Sequence, residues 1–226
     1  MRTLTQTELE QVKKAITAKG LSSAEILLEI YDHYVSHLER FGEGDFEGQL
    51  KELEEKFPYS YCHSLQAKFA KASKKEIFGL QWTIFKTYFT WPRFFATAFF
   101  LAFMLVVWDT IDNRTKGLTL LVPVVFSMLL TGWIFYKSYR KVKDIKGTLK
   151  SQTTIKSSYL DAILGQFSLL TSSLNLLIFV PKIFGTRNFF DSPYFLAISF
   201  FLLFGYVAYT LTLFEAWKIK SKTALI

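Results

Sequence analysis

His33 and His37 stand four residues apart in "EILLEIYDHYVSHLERFG", residues 25–42, among Glu25, Glu29 and Asp32, in a chain with only three histidines. At this spacing on a helix two imidazoles can share a divalent metal. Two ligands do not close a site, however, and the third would have to be His63 from another segment. No HExxH pattern occurs, and the single cysteine, Cys62, offers neither an internal disulfide nor a CxxC pair. No acid, base and nucleophile are tied together by spacing, so the residues predict no catalytic, cofactor or metal site and the chain reads as non-enzymatic. The remaining chemistry is recognition. Glu25, Glu29, Asp32, His33 and Ser36 form a polar face that could meet a basic protein surface, against the simpler reading of a solvated helix side.

That face needs a helix to carry it. Residues 5–20, "TQTELEQVKKAITAKG", predict a first helix capped by Thr5 and stopped at Gly20. The second is expected to start at Ser22, with Glu25 three residues on as a capping box, and to stop at Gly42. Its apolar stripe is Leu27, Tyr31, Tyr34, Leu38 and Phe41, with His37 at the edge beside Ile26 and Ile30. A third helix from about Asp45 repeats Phe46, Leu50, Leu53 and Phe57 and ends at Pro58; a fourth runs from about Ser60 toward the rest of the chain. Short amphipathic helices cannot bury their apolar sides alone, so residues 1–75 should form one small helical domain.

The other half of the chain has a different solvent. Of 226 residues, 50% are hydrophobic and 24 are phenylalanine, an excess that points to lipid. Four apolar stretches stand out: Phe94–Trp108, Leu118–Tyr136, Tyr159–Val180 and Tyr194–Phe214. The first covers about 22 Å as a helix, so the aromatic "YFTWPR" before it is expected to help it cross. Trp91, Trp108, Trp133 and Trp217 fall at or near the ends of these stretches, where indole rings favour the headgroup boundary. Residues 76–92 read as an amphipathic or interfacial connector, or alternatively as an extension of the first span kinked at Pro92. The opening residues lack an apolar core and cleavage site, so no cleavable secretory signal is expected.

Charge sets the orientation. Residues 1–75 carry 11 basic and 12 acidic groups, whereas the remainder carries 16 basic and 7 acidic. The loop 137–158 is net plus six and is expected in the cytoplasm, which puts both termini there as well. Its Arg140, Lys141, Lys143, Lys146 and Lys150 serve topology and can contact anionic lipid; nothing about them argues for nucleic acid. In the third stretch Asp161, Gly165, Ser168, Ser172 and Asn175 share one helix side, a polar stripe suited to interhelical packing or to an ion or substrate path. The expected fold is therefore all-α: a cytoplasmic three- to four-helix domain (1–75), a connector (76–92), a four-transmembrane-helix domain (93–217) and a cytoplasmic tail (218–226).

A family resemblance adds to these expectations. "LLEIYDHYVSHLE", with "AKGLSSAE" before it and "DFEGQLKELEEKF" after it, resembles the bacterial HAAS domain, particularly its "E-L-x-D-H" forms, through Glu29, Ile30, Asp32, His33, Phe46, Leu50 and Phe57. It covers roughly residues 5–60 and departs from the pattern in having "FPYS" where a glycine-containing turn is usual. The resemblance implies a sensory or accessory membrane protein of the bacterial inner membrane, partnered by a transporter subunit or a PadR-type transcriptional regulator. The alternative is a transporter component using the third-stretch stripe, in either case as a homo-oligomer or alone in the lipid bilayer.

Overall fold

The computed structural model describes residues 2–112, 115, 121–149, 154–183 and 193–223; for 121, 174–183, 193–199 and 223 the backbone alone is described. Among these residues the chain is all-α. The described residues form eight α-helices: α1 (Gln6–Thr17), α2 (Ala24–Leu38), α3 (Phe46–Lys56), α4 (Tyr59–Thr87), α5 (Arg93–Thr110), α6 (Leu121–Leu149), α7 (Ser158–Ile183) and α8 (Pro193–Thr223), with one 3₁₀ turn at Glu43–Asp45.

Local chemistry explains the starts and stops. Thr5 caps α1 through a reciprocal capping box with Glu8, and Arg2 clasps the same carboxylate at 2.7 Å. The Arg2 hydrogen bond is the main cause holding the Glu8 carboxyl below its ordinary range. After α1 the chain turns at Gly20, whose φ of +62° lies in the left-handed region that favours glycine. Lys19 is drawn in beside it and donates from Nζ to the Phe57 carbonyl at the end of α3, a cation at a helix C-terminus. Pro58 separates α3 from α4.

The residues divide into two compact units. The first comprises Met1–Lys75 together with Tyr136–Ala162 and Thr223–Ile226. Its core gathers Val12 and Ile16 of α1, Ile26, Leu27, Ile30, Tyr34 and Leu38 of α2, Phe46 and Leu53 of α3, and Cys62 of α4. Val142 and Leu149 of α6 and Ile155 join the same core, so a segment far along the sequence completes it. Tyr34 donates its hydroxyl to the Leu53 carbonyl at 3.0 Å, and burial pushes its pKa well above the ordinary phenol value. Burial likewise raises the Cys62 thiol, a small apolar filler here.

The second unit comprises Glu76–Phe135 and Ile163–Lys222. Two of its helical stretches, Arg93–Thr110 and Phe200–Lys222, are long and apolar enough to cross a membrane. α5 has no buried residue at all, and Phe99 is 75% exposed. α8 instead buries Leu203, Tyr206, Ala208, Leu213, Ala216 and Trp217. Trp217 meets Trp133 of α6 edge-on, with Phe214 stacked beside it. The segment before α5 is not one helix kinked at Pro92: α4 ends at Thr87 and α5 starts anew at Arg93.

Candidate functional site

The start of α2 carries a polar network that joins three helices of the first unit. Ser23, not Ser22, is the N-cap: the Ile26 N–H donates to its hydroxyl oxygen at 3.5 Å. Ser22 and Ser23 donate their backbone N–H groups to Gln66 Oε1 of α4, at 2.9 and 3.0 Å. The expected capping box at Glu25 does not form, because that carboxylate is used elsewhere. Ser158 donates its N–H to Glu25 Oε2 at 3.0 Å, Ser157 donates its hydroxyl to Oε1, and Ser23 donates to Oε2 at 2.9 Å. Glu25 thereby caps the N-terminus of α7 from another helix, where the helix dipole favours an anion. The exchange is mutual. Lys156 donates its N–H to the Ser22 carbonyl at 2.8 Å and accepts from the Ala24 N–H at 2.9 Å, a parallel bridge that satisfies a free donor of α2.

The proposed recognition face is therefore not uniform. Glu25 is half-buried and occupied, and Ser36 is half-buried; Glu29, Asp32 and His33 are exposed. The histidines have separate partners. His33 lies edge-on to Phe57 at 5.1 Å, His37 donates from Nε2 to Gln49 Oε1 at 3.0 Å, and His63 donates from Nε2 to the Lys19 carbonyl at 3.0 Å. Among the described residues no group of three or more His, Cys, Asp or Glu is placed to hold a metal.

No family model, curated protein or solved structure matches this chain. A functional reading therefore rests on the geometry of its own side chains.

The basic segment is not a loop over most of its length. Residues 137–149 continue α6 as helix, and Val142, Ile145 and Leu149 on one side face the core of the first unit. Arg140, Lys141, Lys143 and Lys146 are exposed, with Arg140 set over the Tyr136 ring at 6.0 Å; Lys150 lies outside the described residues. The cations thus form the outer side of a helix whose inner side is structural. The spacing of Val142, Ile145 and Leu149 was the available signal for it.

Of the polar stripe on α7, Asp161, Gly165, Ser168 and Ser172 are exposed, and the Asn175 side chain lies outside the described residues. The buried side of α7 is made instead by Ala162, Ile163 and Phe167. Ser168 and Ser172 line a cleft of about 410 Å³ with Ser127 and Thr131 of α6. Sequence reasoning missed the buried and half-buried polar links of this unit. Gln81 of α4 donates from Nε2 to Thr212 Oγ1 at 3.2 Å, Tyr209 donates to Gln166 Oε1 at 2.8 Å, and Ser127 pairs with the Tyr206 hydroxyl. Lone glutamines inside apolar runs, "GLQWTIF" and "ILGQFSLL", were their signal.

Proposed function

We propose that this chain is a bacterial inner-membrane accessory or sensory protein, in which a HAAS-like helical unit in the cytoplasm is tied to a four-span membrane domain. The observation that carries the reading is the mutual capping of α2 and α7. Glu25 and Ser23 hold Ser157 and Ser158 at the start of the helix that covers the third apolar stretch. A change in the helical unit would act directly on that helix end, and the reverse. The apolar exposure of α5 and the composition of Phe200–Lys222 support insertion in lipid; in this reading α6 and α7 are the two remaining spans.

The partner face is narrowed to Glu29, Asp32 and His33. Its acidic pair suits a basic surface on a transporter subunit or a transcriptional regulator. The test is mild-detergent co-purification with quantitative mass spectrometry, comparing the intact chain with a Glu29→Lys/Asp32→Lys variant. Loss of one stoichiometric partner in that variant supports the reading; an identical set of co-purified proteins sinks it. The rival transporter role is favoured by the hydroxyl-lined cleft at Ser127, Thr131, Ser168 and Ser172. Flux in reconstituted vesicles that falls in a Ser168→Ala/Ser172→Ala variant would favour it.

A further inference from the structure

A second recess in the membrane-embedded unit carries a different chemistry. It measures about 350 Å³ and lies between α5 and α8. Its walls are apolar, with Phe100 on one side and Phe204, Val207 and Leu211 on the other, while its one end is charged. There Tyr88 donates its hydroxyl to Glu215 Oε1 at 3.1 Å. Arg93 sits across from the same carboxylate, Nη1 to Oε2, at 3.8 Å. A direct charge-assisted hydrogen bond is about 2.7–2.9 Å long, so this pair is held apart. Neither group is covered by the protein, at 55% and 39% side-chain exposure.

We infer that this recess binds one phospholipid with a primary-ammonium, zwitterionic headgroup of the phosphoethanolamine type. The inference rests on the proposed membrane insertion of this unit. Along α8 the lining runs from Phe204 to Glu215, about 16 Å at ~1.5 Å per residue, close to half of a ~30 Å hydrocarbon core and so to one acyl chain. The charged end offers one cation and one anion side by side. A phosphate takes Arg93, which also donates to Thr87 Oγ1 at 3.2 Å, and an ammonium donates to Glu215. A purely anionic head would meet the Glu215 carboxylate without compensation. A trimethylammonium head has no N–H to donate. α5 has no buried residue of its own to close the recess, so an acyl chain completes the wall.

The test uses the full chain in bilayer discs holding equal amounts of phosphatidylethanolamine, phosphatidylglycerol and phosphatidylcholine with identical acyl chains. After mild extraction, native mass spectrometry counts the lipids retained. The expected result is one phosphatidylethanolamine held in preference to the others. Arg93→Gln should weaken retention of all phospholipid roughly tenfold, the loss of one charge-assisted contact. Glu215→Gln should remove the preference over phosphatidylcholine while Tyr88 keeps an acceptor. Leu211→Trp, at an exposed lining position, should block entry without disturbing the core. Equal retention of the lipids, or retention unchanged in the variants, overturns the site. A dimer that dissociates in Leu211→Trp also overturns it, because a second copy then fills the recess. Alkaline carbonate separates the two readings: a chain stripped from membranes overturns the membrane reading and the site together, whereas an embedded chain without lipid preference overturns the site alone.

Discussion

Glu25 shows how one side chain can be misassigned by position and placed correctly by its neighbours. On the sequence it stands about one turn from Glu29 and two from Asp32 and shares their charge, but its carboxylate accepts from Ser157, Ser158 and Ser23. Ser157 is fully buried, so removing Glu25 strands donors that water cannot reach. Glu25→Ala should cost about 1–3 kcal/mol of the first unit's stability. Asp32→Ala, on the exposed side of the same helix, should stay within about 0.5 kcal/mol. Rates of limited proteolysis within residues 1–75 of the full chain measure both, and equal rates would refute the capping role. The histidines teach the same lesson. Their types and spacing invite a metal, yet aromatic and amide neighbours engage each ring in a different place.

At the level of helices, α1 and α3 were legible because their signals are local. Thr5 with Glu8, the positive-φ turn at Gly20 and the Phe46, Leu53, Pro58 pattern all act within a few residues. The extension of α6 was hidden in composition, because its five cations outweigh three apolar residues whose helical spacing was the one signal. Their packing shows that Val142 and Leu149 belong to the core of the first unit. Leu149 is 2% exposed, and Leu149→Ala should cost at least about 2 kcal/mol, roughly a thirtyfold rise in proteolytic opening. Lys143→Glu, on the outer side, should leave that rate almost unchanged. If both variants open alike, the α6 extension is not part of the core. The cap of α2 shifted by one residue for the same reason. Ser23 and Ser22 are equivalent as types, and the choice is made by Lys156 and Ser158, more than a hundred residues away.

For the whole chain, the all-α class and the apolar second half were readable from composition and periodicity, whereas the membership of the first unit was not. Domain readings by position assume that neighbours in sequence fold together, and here Tyr136–Ala162 folds with Met1–Lys75. The four-span proposal requires the outer side of α6 near Lys143 to face the cytoplasm and the turn at Asp112 to face outward. In a Cys62→Ser background, an impermeant maleimide should label Asp112→Cys in intact spheroplasts and Lys143→Cys only after permeabilisation. Labelling of Lys143→Cys from outside would reverse the orientation. The bond between Ser157 and Glu25 spans 132 positions of sequence. At synthesis rates of about 5–20 residues per second, the α2 cap waits roughly 7–26 s on the ribosome for its partner to emerge. The nascent helical unit therefore lacks this cap until Ser157 has been made, and the completed cap reports that the intervening segments have already been synthesised.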